Sequence, residues 1–158
     1  MSNRSKQKLF TKAVIVLIAI VAVAYITEPY SYGAKGESSG ESIREINIGG
    51  SVIRATIADT FEAREKGLGD RDSLSEDEGM LFIFPREDRY GIWMKDMRFS
   101  IDILWLSADG TIVDMRENVS PSTYPTSFLP KLSAQFVLEL PAGFATAHNI
   151  RIGDVARF

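Results

Sequence analysis

The hydrophobic pattern divides the chain into two unlike parts. Ala13 to Ile26 is an unbroken apolar run of 14 residues. From Ile43 onward apolar residues come in short bursts separated by turn formers. Ile43–Ala58, "IREINIGGSVIRATIA", alternates apolar and polar on both sides of Gly49-Gly50, which predicts a hairpin. Asp59–Lys66 is polar and helix-favouring, with Asp59 or Thr60 to cap it and Gly67 to end it. A loop with a turn of helix near Ser75–Glu78 follows. "MLFIF" at 80–84 reads as a strand stopped by Pro85, and "GIWMKDMRFSIDILWL" at 91–106 as two strands around a turn. "SADG" at 107–110 signals another hairpin, with its second strand over Thr111–Glu117. Val119–Gln135 holds three prolines and little periodicity, a long loop of the kind that is functional or disordered in a small domain. Phe136–Leu140 is a strand, 143–149 suits a short helix, and "IRIGDVARF" ends as a strand with a Gly153-Asp154 turn. Seven or eight short strands with one or two short helices predict a mainly β (β-rich α+β) fold, an antiparallel sheet closed into a small barrel or sandwich.

The apolar run changes the picture of where this domain sits. Arg4, Lys6, Lys8 and Lys12 flank it with no acid among the first 27 residues. Charge before a short apolar run is the pattern of an export signal. At 14 residues it is short for a spanning helix, which needs about 20. Leu9, Phe10 and Thr11 extend it, with Lys12 snorkelling. Residues 9–27 are therefore expected to hold the chain in the membrane, with a signal peptide cleaved after Ala24 as the alternative. Either way the basic end stays in the cytoplasm and the rest lies outside, on the cytoplasmic membrane or released into the periplasm or medium. The expected organisation is 1–28 as anchor or signal, 29–42 as a Gly/Ser-rich linker, and 43–158 as one β-rich domain.

Charge and composition narrow the function classes. The chain has 158 residues, 45% hydrophobic and 25% charged, enough for one real core. From Glu41 on, 13 Lys and Arg face 19 Asp and Glu, so the folded part is acidic and lacks the basic surface that nucleic acid demands. There is no cysteine, which removes disulfides, thiolate metal sites, a cysteine nucleophile and a lipoprotein anchor. His148 is the one histidine, which excludes a multi-histidine zinc site.

Four segments form a recognisable set: "GLGDRDSLSEDEGMLFIFP", "IWMKDMRFSIDILWLSADGTIV", "FVLELPAG" and "IRIGDVARF". Their order and spacing resemble domain of unknown function family 192, a group of small bacterial and archaeal proteins, over about Ile43–Phe158. The resemblance implies a compact β-rich fold and supplies no reaction. Members with an N-terminal export or anchor segment are similar to this chain in layout. Here Gly69 stands where the family has methionine before its arginine, Asp96 and Met97 where it often has asparagine and threonine, and Ser100 where proline is frequent.

Candidate chemistry centres on carboxylates in apolar strands. Asp102 shares its strand face with Leu104 and Leu106, while Ile101, Ile103 and Trp105 line the other, so it is expected to be enclosed. A lone buried carboxylate costs roughly several kcal/mol unless it is paired or protonated. Lys95 and Arg98 lie nearby in sequence, and Glu139 in "LELP" repeats the puzzle. Arg71, Lys95, Asp102 and Glu139 are therefore expected as a polar cluster, read either as a structural network or as a site. Trp93, Tyr124 and Phe128 are candidate stacking surfaces, but Trp93 is expected to pack in the core, while Tyr124 and Phe128 on the proline loop are open. Asp70, Asp72, Glu76, Asp77 and Glu78 miss the EF-hand spacing, because Leu74 and Leu81 fall at its fifth and twelfth positions. Met80, Met94, Met97 and Met115 have apolar neighbours and read as packing rather than copper ligands. His148 is expected exposed and idle. No cofactor or metal is expected. The expected role is non-catalytic binding of an envelope ligand or protein partner. The alternatives are a small hydrolase-like enzyme using Asp102 or Glu139 with Lys95 as support, and a purely structural accessory protein.

Overall fold

The computed structural model describes residues 42–158. The expected anchor at 1–28 and the linker at 29–42, save Ser42, lie outside the described residues. The Gly49-Gly50 hairpin forms as expected, joining β1 (Ile43–Ile48) to β2 (Ser51–Ala58). Both glycines have positive φ, 57° and 81°, the requirement of the tight two-residue turn that matches strand twist. Helix α1 (Phe61–Lys66) starts at Thr60, whose hydroxyl accepts from Ala63 N, and stops at Gly67 with φ 50°.

Past α1 the chain runs without a further helix to β3 (Glu78–Asp88), and the turn of helix expected near 75–78 is reduced to a single hydrogen-bonded turn, with Glu78 N donating to Ser75 O at 3.0 Å. β3 lies parallel to β2, from Arg54 opposite Glu78 to Ala58 opposite Phe82. A parallel pair needs a long crossover, and residues 59–77 supply it. Pro85 does not stop β3. Pairing with β8 (Ala134–Pro141) breaks between Ile83 and Asp88, so the proline falls in the irregular stretch where its missing N–H loses no ladder bond.

The remaining elements are β4 (Ile92–Trp93), β5 (Ile101–Leu106), β6 (Ile112–Val119), a 3-10 turn at Pro121–Thr123, β7 (Ser127–Phe128) and α2 (Phe144–Ala147). The two strands read in 91–106 exist but are not partners. β4 pairs with β7 in a small separate sheet, and β5 lies between β8 and β6. The main sheet has the order β1-β2-β3-β8-β5-β6. It is a mixed six-stranded sheet rather than an antiparallel one, and it is not closed into a barrel, since β1 and β6 remain its edges. The expected last strand is reduced to two isolated bridges, Arg157 with Asn47 of β1 and Val155 with Thr111 beside β6. Asn47 and Arg157 exchange both backbone bonds, at 2.8 and 2.9 Å. The tail thus laps both sheet edges.

Each face of the sheet carries its own core. Ile46, Ile53, Leu104, Leu138 and Leu140 pack on one side, together with Phe144 and Ala145 of α2. Met80, Phe82, Ile103, Trp105 and Val137 pack on the other, with Leu68 and Met94 from the loops. β5 is buried along its whole length, so alternation assigns its residues to faces but exposes none.

Candidate functional site

Asp102 is fully buried, as its strand predicts, but its partners are not cations. Its Oδ1 accepts from Asn118 N at 2.8 Å and Gly143 N at 3.0 Å, and its Oδ2 accepts from Ala145 N at 2.9 Å. Asn118 and Gly143 have positive φ, 54° and 83°, and leave the ends of β6 and β8 with amides that no strand partner reaches. One carboxylate satisfies all three, and charged acceptors make the stronger bonds. Arg98, expected near Asp102, instead pairs with Asp72 and lies 3.7 Å from Asp70. Asp102 therefore joins the β6 end to the β8–α2 junction.

Glu139 faces the other way. Register sets it between Met80 and Ile103, the residues of the second core, whereas Asp102 sits opposite Leu140 of the first. The expected four-residue cluster does not assemble, because the sheet itself separates its two carboxylates. Glu139 is 4% exposed, and its side chain has no hydrogen-bond or ion-pair partner among the described residues. Every fully sealed side-chain polar atom among those residues does have a partner, so the Glu139 carboxyl must open onto free space. Burial pushes it up to about 8 from an ordinary 4.5. It spends much of its time as a neutral acid near neutral pH.

That space is a cavity of about 910 Å³. Leu68, Phe82, Phe84, Tyr90 and Ile92 supply apolar wall, and Phe84 and Tyr90 stack 3.6 Å apart at 8°. Arg64 sits 5.3 Å over Phe84 while donating to Asp59 O and Ile83 O. Trp93 and Lys95 also line the cavity, with the Lys95 Nζ 5.9 Å from the Trp93 ring centre. Lys95 and Glu139 thus share one cavity, and Asp102 is not part of its lining. Arg71 is half-buried in the loop after Leu68, where its N–H donates to Leu68 O, and does not line the cavity.

Trp93 is not a core residue: it is 43% exposed, because two-residue β4 turns Ile92 inward and Trp93 outward. Tyr124 tilts against it with ring centres 6.1 Å apart. Phe128 pairs with the inward-facing Ile92 through β7 and packs against the second core, so of the three aromatic candidates only Trp93 and Tyr124 meet. His148 is half-buried and engaged rather than idle, bonded through Nδ1 to Ser51 Oγ at 2.9 Å and stacked on Phe144. In the acidic loop, Asp77 pairs with Arg54 at 3.0 Å. Met80 and Met94 pack in one core and Met115 against the other, with no shared focus.

Sequence reasoning missed Asp114. It is buried in β6 and accepts from Lys131 N, Met115 N and Arg116 Nη1, at 2.8 to 3.0 Å. Burial works against its charge, but these donors outweigh it and hold the carboxyl below the ordinary range. It anchors the proline-rich loop. The available signal was an acid inside the apolar stretch "IVDM".

A family model described as "Uncharacterized ACR" (DUF192) matches residues 44–158. A UPF0127 protein of Thermococcus sibiricus is 33% identical over 103 residues, covering 64% of this chain and 63% of that protein. One of Thermococcus kodakarensis is 29% identical over 104 residues, covering 65% and 62%. The match therefore spans somewhat less than two thirds of these relatives' own length. Among solved structures, a protein of unknown function from Novosphingobium aromaticivorans is similar with TM-score 0.72 and 27% identity, over 77% of this chain and 89% of that one. A chain from Sinorhizobium meliloti is similar with TM-score 0.70 and 27% identity, over 74% and 94%.

Proposed function

This chain belongs to the DUF192 family, and from that premise we propose that its domain is a non-catalytic binding module for a small envelope ligand, taken into the Glu139 cavity. The observation that carries this reading is the unpartnered Glu139 carboxyl opening onto the cavity. A fold keeps an unsatisfied buried acid at a cost to stability, and function is the usual reason for tolerating one. The surroundings suit a ligand: an apolar wall of workable volume with a few polar groups. Trp93 and Tyr124 extend the apolar surface outward from the cavity. We further propose that residues 9–27 hold the domain outside the cytoplasmic membrane, or release it if cleavage follows Ala24, since the basic flank is cytoplasmic by preference. Backbone NMR of the chain titrated with a library of small aromatic and aliphatic fragments tests the binding reading. Shifts should gather at Leu68, Phe82, Trp93 and Glu139 and weaken in Trp93→Ala. Shifts confined to other faces, or none at all, would overturn it.

A second reading is supported by one observation, that Glu139 and Lys95 line the same cavity. A neutral buried acid and a cation in one cavity are a combination that general acid catalysis uses. In that case Glu139 would donate the proton and Lys95 would stabilise developing negative charge. Product appearing with the wild type but not with Glu139→Gln would favour it.

A further inference from the structure

The charges around the cavity do not follow those of the domain. The chain from Glu41 on is acidic, yet the cavity lining carries Arg64, Lys66, Arg86 and Lys95 against Glu65 and Glu139. Three of the cations are already occupied in part: Arg64 by two carbonyls and the Phe84 ring, Arg86 by Asp88 at 3.8 Å, and Lys95 by the Trp93 ring at 5.9 Å. Lys66 and Lys95 have no ion pair among the described residues. The fold brings their two loops together at one seam. Gly69 N donates to Lys66 O at 3.0 Å, and Asp70 N to Asp96 O at 2.9 Å. A side chain at Gly69 would press on both Lys66 O and Lys95 O, at 2.9 and 3.4 Å, so the close approach depends on glycine there. The backbones that carry the two lysines thus meet at one stretch of the cavity lining, next to Leu68.

We propose that the ligand is an anionic amphiphile, an apolar ring or short chain bearing one carboxylate or phosphate, with its charge at the Lys66–Lys95 seam and its apolar body against Leu68, Phe82 and Phe84. This rests on the binding reading of the same cavity and adds the ligand's class to it. Complementary charge at a mouth of locally reversed sign draws in anions and discriminates against cations. Glu139 fits the same class. As a neutral acid it offers a hydrogen bond to an acceptor on the ligand and adds no repulsion. A cationic ligand would instead draw on Glu139 as an anion, but would meet four lining cations against Glu65.

Calorimetric titration of the full chain at pH 6.5 with 2-naphthoate, 2-naphthol and naphthylmethyl-trimethylammonium separates the possibilities. Naphthoate should bind at least about tenfold more tightly than naphthol, with the ammonium weakest. Lys66→Gln with Lys95→Gln should cost naphthoate at least about tenfold in affinity and naphthol much less. Both lysines are exposed, so the fold tolerates the change. Preference for naphthol or the ammonium, or no effect of the lysine changes, overturns the anionic class and leaves the binding reading standing. Failure of all three probes and of the fragment library overturns both.

Discussion

Asp102 and Glu139 show what decides the role of a buried carboxyl. Both lie in apolar strands, but Asp102 receives three backbone N–H bonds and Glu139 none. Asp102→Asn keeps one acceptor oxygen and turns the other group into a donor facing an amide. Urea denaturation at pH 7 should show a loss of about 3 kcal/mol, because bonds to a charged acceptor are worth about 1.5–3 kcal/mol each. A variant as stable as wild type would remove the joining role. Glu139 predicts the opposite dependence on charge. Its carboxyl is raised from 4.5 to about 8 in the folded chain, so the folded state holds its proton more tightly. That stability is complete below pH 4.5, declines as pH rises towards 8, and is gone above it, for a total on the order of a few kcal/mol. Glu139→Gln should lack this decline and be the more stable form at pH 8. Parallel melting curves from pH 5 to 9 check it, and parallel slopes would contradict it.

Between the elements, the tail has the most to lose. Gly110 has φ 83°, and a side chain there would collide with the Ala156 carbonyl, while Ala156 N donates to Gly110 O at 2.9 Å. Gly110→Ala should cost about 2 kcal/mol for the left-handed backbone alone. Hydrogen exchange should then quicken at Ala156 and Arg157 before it does in β5, and unchanged tail amides would show that the contact is dispensable. The local elements were legible because their signals are local: the Gly49-Gly50 turn, Thr60 at a helix start, the alternation of β1 and β2. The pairing of strands was not. Nothing short-range marks β2 and β3 as parallel; that follows from the crossover at 59–77. The run of 91–106 looked like a hairpin because its apolar bursts are close, yet β4 finds its partner in the proline loop. The same gap explains the candidate site. Alternation within one strand gave Asp102 its face, but only the register between β8 and β5 places Glu139 on the reverse side. Trp93 was misjudged for a related reason, since a two-residue strand has no period to read.

At the scale of the whole chain, the anchor reading predicts an orientation. In right-side-out membrane vesicles from cells expressing the chain, added protease should digest the folded domain, whereas resistance would place it on the inner side. The two tryptophans are the only ones in the sequence, and they have opposite surroundings. Trp105 is sealed in the second core with its indole N–H on Tyr90 O at 2.9 Å, and Trp93 stands 43% exposed on the cavity lining. The molecule therefore carries two intrinsic fluorophores that report on different events. Emission from Trp105 should be blue-shifted and stay constant until the sheet comes apart. Emission from Trp93 should lie to the red and change when something enters beside Lys95. Occupancy and unfolding can then be followed in one unlabelled sample, as two spectral components that move independently.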